Sequence, residues 1–127
     1  NAEWSRSDRH RRLLAGIELE VLKPSDGAAM QAVAEVLRDK LRSYDLIGRK
    51  GPTTFAVVAC EIQPRSARRI CERLKHGLDD RKIEVALGAA TNEAERVEMV
   101  EDLFDVAWEA CSRAQRGEGP DGICVIE

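Results

Sequence analysis

The sequence predicts an α+β domain in which a five-stranded, mostly antiparallel sheet is flanked by helices. Apolar residues switch several times between a period of two and a helical period, and two strand-like runs meet at a Gly-Pro turn in mid-chain. The 127 residues are the size of one domain, enough to bury a single core without disulfide or metal support.

Leu13 to Val21 reads LLAGIELEV, a strand whose first half is apolar on both faces. Pro24 closes it, Ser25 or Asp26 can cap a helix from Gly27 to about Leu41, and Met30, Val33, Val36, Leu37 and Leu41 recur at helical spacing. The runs 45–50 and 55–60 flank Gly51-Pro52-Thr53-Thr54 and form a β-hairpin. Pro64 suits the first turn of a helix reaching about His76, and Gly77 suits its stop. A strand from Ile83 to Ala89, a helix from about Val97 to Gln115 and a short strand from Ile123 to Ile126 complete the order β-α-β-β-α-β-α-β. Residues 1–12 read as a linker or incoming helix of a larger protein, and residues 13–127 as the domain.

Hydrophobic residues at 43% and charged residues at 34% match a soluble globular chain. No apolar run is long enough to span a bilayer and the first twelve residues are polar, so a cytoplasmic domain without membrane contact is expected. A formal net charge of -3 argues against nucleic acid as the main partner. Cys60, Cys71, Cys111 and Cys124 form no CxxC pair and have only His10 and His76 for company, so they read as buried free thiols rather than metal ligands.

The stretch from Leu41 to Cys60, LRSYDLIGRKGPTTFAVVAC, resembles the centre of GGDEF (diguanylate cyclase-like) domains. There an RxxD motif precedes, by five residues, a hairpin bearing G-G-[DE]-E-F. Arg42 and Asp45 stand in the RxxD places, Leu46 to Lys50 are the five spacers, and Gly51, Pro52, Thr53, Thr54 and Phe55 occupy the signature. An RxxD alone carries little information; its weight here comes from its spacing to Phe55. Cys71-Glu72-Arg73-Leu74 is similar to the family's A-E-R-[LI] segment, VALGA at 85–89 to its [TV]-x-S-[IL]-G-[VI] strand, and 113–119, more weakly, to its closing A-K-x-x-G-[RK]-N.

The resemblance implies a cyclic di-GMP site of the family's inhibitory type at Arg42, Asp45 and Arg73, with Arg69 one turn before Arg73 as a further phosphate contact. Arg offers a planar fork for guanine O6 and N7 or for phosphate, and Asp can accept from the guanine N1–H and N2–H₂. The family's reaction needs divalent cations, held by carboxylates of a first-strand D-[IVL]-D-x-F-K pattern and of the signature. Here Gly16 to Val21 stands at the first place, with Glu18 or Glu20 left to supply one ligand, and Thr53-Thr54 at the second. Pro52 has no N–H to offer, no N-D-x-x-G-H-x-x-G-D stretch follows the first strand, and Gln115 replaces a phosphate-binding Lys.

The expectation is therefore a degenerate GGDEF domain, not an enzyme, with no metal and no cofactor. It would act in bacterial signal transduction as a cyclic di-GMP receptor whose partner is a second copy or another domain of the same protein. The rival is a nucleotide-independent interaction or dimerisation module, whose sign would be an exposed apolar patch around Trp4 or Trp108.

Overall fold

A computed structural model describes residues 13–43, 45–62, 66–94 and 96–126. The element order is β1 (Leu13–Lys23), α1 (Gly27–Lys40), β2 (Leu46–Arg49), β3 (Thr54–Ile62), α2 (Ser66–Asp80), β4 (Glu84–Thr91), α3 (Val100–Gln115) and β5 (Ile123–Ile126), with a 3-10 turn at Pro120–Gly122. The strands lie in the order β2-β3-β1-β4-β5. All neighbours are antiparallel except β4 and β5, which are parallel. This is the α+β arrangement that the alternation predicts. The linker reading of 1–12, Trp4 and Pro64 lie outside the described residues.

β1 is the central strand, bonded on both edges, and its alternation sorts the molecule into layers. Ile17, Leu19 and Val21 join Val33, Val36 and Leu37 of α1 and Ile70, Leu74 and Leu78 of α2 in the larger core. The opposite face lies under α3, where Leu103, Val106 and Ala107 pack with Ala90 and Cys111 and Ala114 pack with Ala86. Burial of both faces explains why the first half of β1 lacks a polar alternation.

Local chemistry places the helix ends. Asp26, of the two predicted cap residues, accepts from the Ala29 N–H at 2.8 Å. At α3, the Asp102 carboxylate accepts from the Glu98 and Met99 N–H groups, both at 3.0 Å. The helix ends at Gly117, which takes φ +81 while the Glu118 N–H reaches the Arg113 carbonyl at 2.9 Å.

Gly77 does not end α2, which runs on to Asp80. A Cβ there would stand 3.1 Å from Val36 Cγ1 and 3.3 Å from Lys40 Cε, so this glycine serves the close approach of α1 and α2 rather than a turn. Arg81 meets Glu35 at 3.0 Å on the same seam. These contacts make the two helices antiparallel, and each earlier turn of α2 lies nearer the C-terminal end of α1.

Gly88 sets the height of α3 above the sheet. A Cβ there would fall 1.9 Å from the Cys111 nitrogen and 2.5 Å from the Ala107 carbonyl oxygen, both backbone atoms that cannot swing aside. Gly88→Ala is expected to destabilise the fold by at least about 1–3 kcal/mol, read as a lower urea midpoint with an unchanged slope.

Candidate functional site

The sequence-predicted residues fall at two ends of β3, from Cys60 to Thr54, about 20 Å apart at the usual strand rise.

At the first end, α1 stops at Lys40 and the chain turns sharply, the Asp45 N–H donating to the Arg42 carbonyl at 3.0 Å. The Asp45 side chain is 2% exposed and that of Arg42 42% exposed. Asp45 accepts from the backbone N–H of Arg42 at 3.0 Å and of Cys60 at 3.2 Å, while the Arg42 Nε lies 3.6 Å from its carboxylate. The Arg42 guanidinium also donates to the Cys60 carbonyl. The carboxylate that the resemblance offers to a guanine therefore has both oxygens engaged by the chain itself. It is turned inward because two backbone donors, left over at a helix end and a strand end, need an acceptor. Asp45 fixes the corner from which Arg42 projects.

Arg69 and Arg73 are both exposed on α2, four residues apart on one face. Neither forms an ion pair among the described residues, whereas the neighbouring Arg68 and Lys75 pair with Glu72 and Asp79. The antiparallel seam carries Arg73 toward the α1 end where Arg42 projects.

At the second end lies the hairpin. Thr53 and Thr54 donate their hydroxyls to the two carboxylate oxygens of Glu20, each at 2.6 Å, because Glu20 and Thr54 are directly opposed in the β1–β3 register. Arg49 donates to the Gly51 carbonyl at 3.0 Å and the Pro52 carbonyl at 2.6 Å, and lies 5.3 Å from the centre of the Phe55 ring. Phe55 is buried at 4% exposure and anchors the hairpin in the core.

One pleat from Glu20, Glu18 is fully buried, one oxygen 2.8 Å from the Lys50 ammonium and the other, Oε2, without a hydrogen-bond partner. Lys50 in turn sits 4.8 Å from the centre of the Trp108 ring, which α3 holds over this corner. Burial pushes the Glu18 carboxyl above its ordinary range, and the Lys50 hydrogen bond and charge only partly offset this.

The Glu18, Glu20, Lys50 and Trp108 cluster is what sequence reasoning missed as a unit. Lys50 counted there as a spacer and Trp108 as a candidate for an exposed apolar patch. The signal was present, since Glu18-Leu19-Glu20-Val21-Leu22-Lys23 follows D-[IVL]-D-x-F-K with acid for acid and Lys for Lys. The motif stands two residues later than Gly16, and both acids are kept.

The divalent cation implied by the resemblance does not fit these side chains as they are arranged. An ammonium engages Glu18, two hydroxyls engage Glu20, and no group of three or more His, Cys, Asp or Glu that could hold a metal occurs among the described residues. The four cysteines are free. Burial pushes the Cys71 thiol up to about 12 and the Cys111 thiol up to about 11, so neither is a ready thiolate.

A buried carboxyl that binds its proton more tightly in the folded than in the unfolded chain costs stability above its raised folded pKa, and the cost is relieved as pH falls through that value. Glu18→Gln is therefore expected to raise the melting temperature at pH 7, with the gain shrinking as the solution is made acid. Parallel thermal melts of the two proteins across pH check it.

Solved structures with the same architecture are numerous in one family. The active GGEEF domain of a diguanylate cyclase from Vibrio cholerae aligns with a TM-score of 0.82 at 15% identity, over 99% of this chain and 90% of that one. The GGDEF domain of TpbB (YfiN) from Pseudomonas aeruginosa aligns with a TM-score of 0.80 at 22% identity, over 98% and 83%. The GGDEF domain of DgcB from Caulobacter crescentus, in complex with c-di-GMP, aligns with a TM-score of 0.78 at 14% identity, over 95% and 82%. No curated protein matches the chain in sequence. The sequence profile described as "Diguanylate cyclase, GGDEF domain" matches residues 27–118. This match overturns the expectation that the chain is not an enzyme: the profile is that of a cyclase domain, and the first-strand acids thought half lost stand together as Glu18 and Glu20. With most of its length matched and its fold shared throughout, the chain belongs to the GGDEF family.

Proposed function

We propose that this GGDEF domain binds cyclic di-GMP at the corner made by Arg42 and by Arg69 and Arg73 of α2, and passes the binding event on by dimerisation or domain rearrangement. The observation that carries the reading is the Asp45 tie. A carboxylate 2% exposed and satisfied by two backbone donors holds the turn after α1 in one shape, and Arg42 projects from that turn. A preformed basic corner of this kind lowers the ordering cost of binding.

The chemistry suits a cyclic dinucleotide. Its two phosphates carry negative charge for Arg69 and Arg73, and its guanines present O6 and N7 to the fork of Arg42. Asp45 acts as a positioning residue through its hold on the Arg42 backbone. In a cyclase family the ligand is the product of the reaction, so the same corner is suited to regulation by product. Arginines from a second copy, or from another domain of the same protein, can engage the ligand's exposed half, which is how occupancy becomes a change in assembly. The family profile and the neighbour solved with c-di-GMP support this choice of ligand over other anions.

The reading is tested by isothermal titration of the purified chain with cyclic di-GMP, with GTP and Mg²⁺ in parallel. Arg42→Ala removes a charge-assisted contact of about 1.5–3 kcal/mol, so affinity is expected to fall roughly 10- to 100-fold while circular dichroism is unchanged. Absence of saturable binding by the unmodified chain contradicts the proposal and leaves the interaction-module reading. A ligand-dependent rise in mass by light scattering is also expected, and its loss in Arg73→Ala.

A further inference from the structure

We propose that Lys50 is a tethered cation of the β1 carboxylates: its ammonium takes the place of a divalent ion there, and removing it opens Glu18 and Glu20 to such an ion. The proposal is independent of nucleotide binding at Arg42, at the other end of β3.

Four features carry it. Glu18 is fully buried, so its carboxylate needs a positive partner close by. Lys50 Nζ is that partner at 2.8 Å, yet it engages only Oε1 and leaves Oε2 without a hydrogen bond. A single ammonium thus meets half of the demand that the buried group makes.

Third, Lys50 is held in place from two sides. Its backbone N–H donates to the Thr54 carbonyl at 2.9 Å where the hairpin begins, and its ammonium lies 4.8 Å from the centre of the Trp108 ring. With its side chain 47% exposed, it can still swing out to water. Fourth, the oxygens of the β1 acids and of the facing hairpin are of the kind hard divalent ions select. Glu18 and Glu20 point to one face of β1, about 7 Å apart along the strand, and the Thr53 and Thr54 hydroxyls already lie 2.6 Å from the Glu20 oxygens. Without the ammonium, the buried Glu18 carboxylate would have no cation beside it, and Glu20 is the next carboxylate on the same face of the strand.

An ordinary salt bridge makes a different prediction. It implies that removing Lys50 costs stability and does nothing else. A tethered cation implies that removing Lys50 creates affinity for another cation.

The probe is Mn²⁺, followed by the electron paramagnetic resonance signal of the free ion and by its effect on the melting temperature. The full 127-residue chain is used unmodified, as Lys50→Met, as Lys50→Gln and as Lys50→Met with Glu18→Gln, each checked for fold by circular dichroism. Lys50→Met keeps the aliphatic stem against Trp108, and Lys50→Gln is the second, polar replacement. The expected result is at least a 10-fold gain in Mn²⁺ affinity in both single variants over the unmodified chain, with the gain abolished when Glu18 is also changed. Binding by the single variants no tighter than by the unmodified chain overturns the proposal. So does saturable binding by the unmodified chain that equals theirs, or a gain that persists without the Glu18 carboxylate.

Discussion

The constraint on which the rest of the structure depends is the double pairing of β1. Because this strand is hydrogen-bonded to β3 on one side and β4 on the other, each of its side chains must enter one of two helical layers. Ile17, Leu19 and Val21 go to α1 and α2, and Gly16, Glu18 and Glu20 go to the α3 side. A one-residue slip would exchange the two sets and place two carboxylates in the main core. The same register sets Glu20 opposite Thr54, and so determines that the hairpin tip, rather than any other turn, meets the acids. Gly88, directly opposite Glu18 in the β4 register, then lets α3 descend far enough to close Trp108 over them.

The two ends of β3 treat buried carboxylates in opposite ways. Asp45 is satisfied by backbone donors that the fold itself leaves over at the end of α1 and the end of β3. It is a structural acid whose effect on function passes through the residue it positions. Glu18 has an ammonium on one oxygen and nothing on the other, and burial raises its pKa. A residue kept in so unfavourable a state is a mark of a functional site more than of a stability element.

Most of the fold was legible in the sequence because it is written in periodicity and punctuation, which are local. The alternation in β1, the Gly-Pro interruption of the hairpin and the Asp26 cap each act within a few residues of themselves. Gly77 shows where this fails. A glycine near a helix end has the same local appearance whether it ends the helix or lets another helix approach, and only the contact with Val36 and Lys40 decides between them.

At the proposed site, Arg42, Asp45 and Arg73 were named through the family resemblance, whereas the inward turn of Asp45 had no local sign, since it depends on a backbone N–H at Cys60, fifteen residues away. Lys50 and Trp108 were passed over for the same reason. Each acquires its place only when the sheet register brings Lys50 beside Glu18, thirty-two residues away, and the α3 packing brings Trp108 beside Lys50. Glu18 and Glu20 were visible but placed in the wrong frame of the first-strand motif, an error of two residues that keeps the same face of the strand and so leaves no trace in the hydrophobic pattern.

Where the ligand sits is read most directly by titrating the ¹⁵N-labelled chain with cyclic di-GMP and following amide chemical shifts. Binding at this corner gives saturable shifts at Arg42, Asp45 and Cys60 and along the Arg69–Arg73 face of α2, with Gly51 to Thr54 at the far end of β3 unmoved. Shifts confined to the hairpin tip and the residues around Glu18 and Trp108, or none at any concentration, would contradict it.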